Sequence, residues 1–545
     1  MARKLPWTTA TFALLLLAYA VYAGVFIYQS SLVINGQRYF SLFDDAMISM
    51  DYARTLAQGG GAVYYPGAER VEGYSNPLWV AYMALFHLLP IPQRLMALPI
   101  QITGAVCLLL NLVVVRKLGD WFAPQQPWVG LGAAFLTAFF YPLNQWSLLG
   151  NEVAPLTLLI SWSVWVALRA RAAGRVPRGL FVLLGLSTLL RMDMLAFGGL
   201  IVVWLAWFDR PRRWQHLAWG GGLLMAFMLL QSLARYAYYG DWLPNTYYLK
   251  MVGGPLLLRL KRGAFVFAKF AWNFNLVLFV LPLLWFAFRR DAASLLLAAT
   301  FVLQAAYSIY VGGDAWEHRG GSNRFFSIAM PMYLLLFMLA SELLRQGLLS
   351  FWRQQGGNRL RLAERLSLLS LVGFLLLSEI NFNALLDTDS LRYAFLLKPT
   401  IYSIGQQKAI ELGLFIKEVT TPQARVAVVI GGGLPYFSER PAIDLLGKSD
   451  AVIARQPMHV PAGQALIDFR PGHNKWDYSR SLGELKPDVI SEVFVGTNAE
   501  AEPYLKDYRR IKVPALKRWV PDGILYVRTD SPYILWDQVA PYLLP

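Results

Sequence analysis

Two adjacent carboxylates, Asp44 and Asp45, open the densest group of reactive side chains in this 545-residue chain. A Gly- and Tyr-rich stretch follows at 59–67 (GGGAVYYPG), then Arg70, Glu72, Tyr74 and Asn76 within RVEGYSNP. A carboxylate beside a reacting carbon can deprotonate an incoming hydroxyl or steady positive charge developing there. On a helix, neighbouring side chains point about 100° apart, so one Asp can face a site while the other orients its surroundings. The competing use is a helix cap or a partner for the helix dipole. The surrounding Gly, Tyr, Arg and Glu pattern favours chemistry.

Further candidates sit in short segments between apolar blocks. Lys250, His318, Arg319 and Arg324 suit an anionic leaving group, Arg as a bidentate fork and Lys as a point charge; headgroup contact is the alternative. Asn245, Asp314 and Glu317 offer hydrogen bonds to hydroxyls. Trp316, Tyr247 and Tyr248 offer flat faces for stacking, with interfacial anchoring as the rival use. Glu152, Arg191 and Asp193 lie near helix ends, where ionisable groups are costly unless paired or facing water. A site role and a structural ion pair both remain open for them. The Gly431, Gly432, Gly433 triplet follows a strand pattern but matches neither GxGxxG nor GxxxxGK[ST], and reads as a turn.

Cys107 is the only cysteine, which excludes internal disulfides, Cys-based metal sites and CxxC chemistry. The five histidines are scattered, without HExxH or zinc spacing. No metal site is assigned and no cofactor is expected. The sequence admits a divalent cation beside Asp44 and Asp45, yet one adjacent pair supplies too few ligands to argue for one.

These residues need elements to hold them, and the composition says which. The chain is 56% hydrophobic and only 15% charged, against nearer a quarter charged in soluble proteins. Its apolar blocks, near 11–28, 98–115, 130–148, 153–168, 179–190, 195–208, 217–236, 264–288, 292–311, 328–344 and 366–380, suit membrane helices. The block at 77–89 is short and Pro-bounded, and reads as a helix at or dipping into the interface. The net charge of +16 lies largely in connectors rather than in a nucleic-acid-binding motif, so no nucleic acid partner is expected. With the N-terminus inside and eleven spans, every inner connector is basic, as the positive-inside rule requires. The acidic, aromatic and Gly/Pro-rich peptides then fall outside, including the first loop at about 29–97. An uncleaved first helix fits better than a signal peptide.

After residue 383 the chain changes character. Strand patterns at 425–430, 487–495 and 523–528 and a helical pattern at 408–419 predict a soluble α/β domain with a partly parallel sheet over 384–545, outside the membrane.

The runs at 44–53 (DDAMISMDYA) and 70–79 (RVEGYSNPLW) resemble the GT-C glycosyltransferases that use polyprenyl-phosphate sugars. Within them the chain most resembles the terminal β-(1→2) arabinofuranosyltransferase group. GNE at 150–152, RMD at 191–193, LPNTYYLK at 243–250, GGDAWE at 312–317 with RFF at 324–326, LPYFS at 434–438 and IDLLG at 443–447 keep the same order. The family more often has GME at the first of these. The resemblance implies a polytopic α-helical membrane protein of GT-C fold, with about 11 transmembrane helices at 1–383 and a C-terminal soluble α/β domain. It implies Asp44 as the catalytic carboxylate, with Asp45 shaping the site or holding the acceptor. Lys250, His318, Arg319 and Arg324 would hold the donor phosphate. Arg70, Glu72, Tyr74, Asn76, Glu152, Arg191, Asp193, Asn245, Tyr247, Asp314, Trp316 and Glu317 would contact sugar or acceptor. The implied donor is polyprenyl-phospho-arabinofuranose; the acceptor is a cell-envelope glycan, lipid or protein; the setting is a bacterial inner membrane with its lipids. Rival expectations are transfer of mannose or another lipid-phosphate-linked sugar, or transport of a lipid-linked sugar. Transport would place polar groups mid-bilayer on broken, repeated helices, and here they cluster in the outer loops.

Overall fold

The computed structural model describes residues 6–317, 323–354, 360–384, 388–460, 466 and 469–544. Among the described residues, seven helices are long and apolar enough to cross a membrane: Trp7–Ser30, Gln93–Phe122, Val153–Ala172, Arg210–Tyr239, Ala292–Val311, Met330–Phe351 and Glu364–Asn383. Three shorter apolar helices join them: Pro127–Phe139, Arg178–Leu190 and Met194–Phe208. The protein is a multi-pass membrane protein, and all eleven apolar blocks fall on helix.

Two blocks expected to be continuous are broken. The block at 264–288 folds as Leu256–Asn273 and Leu276–Phe288, bent by 105°. Asn275 adopts a left-handed φ of 69° at the bend, and its side chain caps the second segment by accepting from the Val277 N–H. The block at 130–148 stops at extended Phe140 and restarts as Tyr141–Leu148, with Pro142 in the first turn. Proline lacks the N–H needed inside a helix but fits its first turn.

The peptide at 77–89 forms the helix Pro77–His87, which packs along Asp44–Ala57. Eleven residues of helix reach about 16 Å, half of a bilayer's apolar thickness. It buries Trp79, Val80, Met83 and Ala84 on one face and leaves Leu78 and Leu85 exposed. The helix is too short for a full span.

The first loop also carries a small hairpin, β1 (Leu32–Ile34) with β2 (Gln37–Tyr39). Beyond the last long helix lies a five-stranded sheet of β3 (Val426–Val428), β4 (Ala442–Asp444), β5 (Val489–Ile490), β6 (Tyr508–Lys512) and β7 (Ile524–Arg528), in the order β4-β3-β5-β7-β6. β4, β3 and β5 run parallel; β7 and β6 close the sheet antiparallel. All of β3 is buried, as parallel strands covered on both faces must be. The helix Ser403–Val419 packs against the short helix Gly433–Ser438 that follows β3. Two strands escape the sequence pattern. β4 is only three residues long, and β6 (YRRIK) reads as a polar edge.

Candidate functional site

The helix Asp44–Ala57 starts where the chain is pinned on two sides. The Phe43 N–H donates to the Leu149 carbonyl at 2.9 Å. Its ring sits among Trp146, Trp316 and Tyr402, with centroids 4.9, 5.3 and 4.8 Å away. Phe43 makes no side-chain cap, so the helix start depends on these contacts and on what the two carboxylates meet.

The carboxylates diverge, as helical spacing requires. Asp44 Oδ1 accepts from the backbone N–H groups of Gly432 (2.9 Å) and Gly433 (3.1 Å), at the start of the short helix after β3. Asp45 takes two cations: Arg324 Nη1 on Oδ2 at 2.6 Å and Lys448 Nζ on Oδ1 at 2.5 Å. Their electrostatics diverge too. Burial, then the charge of Asp45, pushes the Asp44 carboxyl up to about 7, against the pull of Lys448 and the two glycine N–H groups. Burial also opposes ionisation of Asp45, but Lys448, Arg324 and Lys250 outweigh it and hold that carboxyl well below its ordinary range. At neutral pH Asp45 is therefore a fixed anion, while Asp44 can gain or lose a proton.

Two cavities meet at Asp45. One, about 340 Å³, runs between helices and is lined by Asp45, Tyr74, Asn76, Glu152, Arg191, Asp193, Tyr247, Lys250, Arg324 and Lys448, together with Met192, Leu195, Met228 and Tyr310. The other, about 270 Å³, lies under the C-terminal sheet and is lined by Asp44, Asp45, Asp314, Trp316, Lys250, Arg324, Lys448, Arg470 and His473, among others. Asp45, Lys250, Arg324 and Lys448 line both.

The cations are held from several elements. Arg324 is buried, pairs with Asp314 (3.1 Å) as well as Asp45, and lies over the Trp146 ring at 5.2 Å. Burial works against its charge, but those carboxylates raise its affinity for the proton. Lys250 comes from the helix Asn245–Met251; burial, then Arg324, lowers its ammonium to about 8. His473 packs edge-on against Trp316 at 5.5 Å, and burial lowers it to about 4, so it is neutral. His318 and Arg319 lie outside the described residues. Among the described residues no three His, Cys, Asp or Glu side chains gather as metal ligands.

Several expected contact residues serve as supports instead. Asn245 faces neither cavity: its Nδ2 donates to the carbonyls of Gly447 (3.0 Å), Lys448 (2.9 Å) and Asp450 (3.3 Å), and its Oδ1 accepts from Arg455. It holds the loop that carries Lys448. Glu72 pairs with buried Arg235, and Arg70 lies over Tyr238 at 4.8 Å. Glu317 accepts from the Asp314 N–H (3.0 Å) and pairs with Arg262 (3.3 Å), closing its own turn. A second group does face a cavity. Asn76 bridges Ser49 (3.1 Å) and Glu152 (3.0 Å). Arg191 pairs bidentately with Asp193 at 2.9 and 2.7 Å rather than with Glu152.

Sequence reasoning overlooked Lys448 and the two glycine N–H groups. The signals were present: the Gly triplet after a strand, and a Lys just past IDLLG. What hid them is distance along the chain, since Gly432 and Lys448 lie 388 and 403 positions from the carboxylates they meet.

Residues 399–535 match a family described as a domain of unknown function, DUF8728. No curated protein matches the chain in sequence. Solved structures do. ArnT from Cupriavidus metallidurans in the apo state matches with a TM-score of 0.55 at 14% identity, over 98% of this chain and 99% of that one. The same protein bound to undecaprenyl phosphate gives 0.51 at 13%, over 95% and 98%. The oligosaccharyltransferase AglB from Archaeoglobus fulgidus, in complex with an inhibitory peptide and a dolichol-phosphate, gives 0.51 at 11%, over 95% and 75%. At such identities the likeness is one of fold, and the fold is GT-C.

Proposed function

We propose that this chain is a membrane glycosyltransferase that takes a sugar, arabinofuranose, from a polyprenyl-phosphate donor and passes it to a cell-envelope acceptor on the extracytoplasmic side. The observation that carries this reading is the junction of the two cavities, where Lys250, Arg324 and Lys448 gather around Asp45, whose carboxyl they hold well below its ordinary range, beside Asp44, whose carboxyl is raised to about 7. Two fold neighbours hold polyprenyl phosphates, undecaprenyl phosphate in one and a dolichol-phosphate in the other, and the lining of the cavity between helices here suits such a molecule. Apolar Met192, Leu195 and Met228 suit its chain; the three cations suit its phosphate.

The donor lies in the larger cavity with its sugar towards Asp44. An acceptor hydroxyl reaches the anomeric carbon from the smaller cavity, which alone of the two is lined by Asp44. Asp44 takes the hydroxyl proton as the new C–O bond forms. The bond from the anomeric carbon to the phosphate oxygen breaks, and polyprenyl phosphate leaves with its charge compensated by Lys250, Arg324 and Lys448. The basic connectors support a cytoplasmic N-terminus and a site on the outer face of the membrane, a bacterial plasma membrane in this reading. Residues 1–383 then form the transferring domain, and 384–545 cover it. The runs at 44–53 and 70–79 support arabinofuranose as the sugar.

The test is reconstitution of the purified chain in liposomes with synthetic polyprenyl-phospho-arabinofuranose, -mannose and -aminopentose. Consumption of the arabinofuranose donor is expected. Preference for another sugar would replace the donor assignment, and inertness towards all three in the presence of cell-envelope extract would end the transferase reading.

A further inference from the structure

Tyr247 and Lys250 reach the cavity between helices from the helix Asn245–Met251. The first four N–H and last four C=O groups of any helix lack partners within it, which in seven residues leaves few internal hydrogen bonds. Neighbours must therefore fix the direction in which Lys250 points. Two buried cations take hold of the carbonyl end from different parts of the chain. Arg259 Nη1, from the helix Leu256–Asn273, donates to the Met251 carbonyl at 3.0 Å. Lys475 Nζ, from the C-terminal domain, donates to the carbonyls of Tyr248 (3.0 Å) and Ala454 (2.6 Å). Lys475 has no exposed surface, and among the described residues its ammonium meets backbone carbonyls rather than a carboxylate. Both acceptors lie towards the carbonyl ends of short helices, Asn245–Met251 and Ala451–Arg455, where partial negative charge collects. The residues just before Lys475 grip the same place. Gly472, at a φ of +86°, lies against the Lys250 stem, where a Cβ would sit 3.1 Å from Cε and 3.3 Å from Cγ.

We propose that Lys475 is a positioning residue for Lys250: by tying the Tyr248 carbonyl to the C-terminal domain, it fixes the turn from which Lys250 reaches the junction of the two cavities. Lys475 itself lines neither cavity and acts only through that helix. An apolar side chain of similar length would fill its space without burying a charge; what the ammonium adds is a donor to two helix ends at once. The hold matters because the charge on Lys250 is finely balanced. Burial, Arg324 and Lys448 oppose it, while Asp45 and Asp314 favour it, and the outcome is an ammonium lowered to about 8. A shift of the turn changes each of those distances. The consequence for transfer rests on the donor reading, in which Lys250 meets the phosphate; the placement of Lys250 does not.

The test reads Lys250 directly. The full chain in detergent is trace-labelled with acetic anhydride across a pH series, and the acetylated Lys250 peptide is quantified by mass spectrometry. The wild-type reactivity midpoint should fall at about 8. Lys475→Met keeps the length of the side chain but offers no donor. Lys250 then moves away from the burial and the Arg324 charge that depress it, and its midpoint should rise by about one unit or more towards the ordinary lysine value. Gly472→Ala pushes on the stem with Lys475 intact and should raise the midpoint too. Lys417→Met, which removes an exposed ion pair with Glu439 from the same domain, should leave it at about 8. Undecaprenyl phosphate should bind Lys475→Met about tenfold more weakly at neutral pH, read by calorimetry. A wild-type midpoint in Lys475→Met, or in Gly472→Ala should Lys475→Met not fold, would overturn the inference, as would an equal rise in Lys417→Met. Raised midpoints in a chain that binds no undecaprenyl phosphate even as the wild type would sustain the inference and count against the donor reading instead.

Discussion

Replacing Gly432 by Ala perturbs the Asp44 carboxylate without changing its side chain. A Cβ at this position would collide with the Asp44 carbonyl oxygen and come within 2.7 Å of Asp44 Oδ1 and 2.8 Å of Met47 Cβ. The loop after β3 and the start of the helix Asp44–Ala57 must therefore separate. Asp44 then loses at least one of its two backbone donors, each worth about 1.5–3 kcal/mol to a charged acceptor. At about 1.4 kcal/mol per pKa unit, the carboxyl rises by at least about one unit from its value of about 7. Its ionised fraction at pH 7 drops roughly fivefold, and a displacement approaching 1 Å adds a factor of up to about 100. The assay is the pH dependence of kcat for sugar release from the donor in liposomes. Gly432→Ala should lose ~10–100-fold at pH 7 and shift the acid limb upward by about one unit or more, with undecaprenyl phosphate binding retained. Wild-type rates with an unmoved acid limb would refute the reasoning, because Asp44 would not depend on those N–H groups.

The wild-type pH profile of kcat/KM should be a bell. It rises tenfold per unit below about 7, where the raised Asp44 carboxyl stays protonated and cannot accept a proton, and falls above about 8, where Lys250 loses its charge. A flat profile from pH 6 to 9 would contradict both assignments. Lys448→Met should weaken undecaprenyl phosphate binding ~10–100-fold, as measured by calorimetry in detergent, the cost of one charge-assisted contact. Asn245→Ala frees the loop at Gly447, Lys448 and Asp450, so the donor KM should rise more than kcat falls, whereas a direct sugar contact at Asn245 would lower kcat as well.

Membrane class, the positions of all eleven apolar blocks and the Asp44–Asp45 pair were legible in the sequence, because bilayer length and helical spacing are local properties. The breaks at Phe140 and Asn275 were less so. Pro142 is a signal for the first that the continuous reading of 130–148 passed over, while an Asn with positive φ carries no comparable signature. Of the first-loop residues expected to contact sugar or acceptor, Tyr74 and Asn76 line the cavity between helices, and Arg70 and Glu72 do not. Glu72, Asn245 and Glu317 are polar for the sake of neighbours that only the fold reveals: Arg235, the loop at 447–450 and Arg262. The C-terminal contribution was hidden for the same reason. Lys448 and Gly432 reach the first loop only because a sheet folds back over the membrane helices, and no local pattern encodes that return.

In the proposed transfer, everything turns on Asp44 as the proton acceptor. Its direct test is single-turnover release of sugar from polyprenyl-phospho-arabinofuranose by Asp44→Asn, in protein shown to bind undecaprenyl phosphate as the wild type does. Asn keeps the shape and can still accept from the Gly432 and Gly433 N–H groups, but cannot take a proton. The predicted rate is lower by ~100–10,000-fold at every pH, with the acid limb abolished. Release at the wild-type rate would contradict the mechanism at its centre.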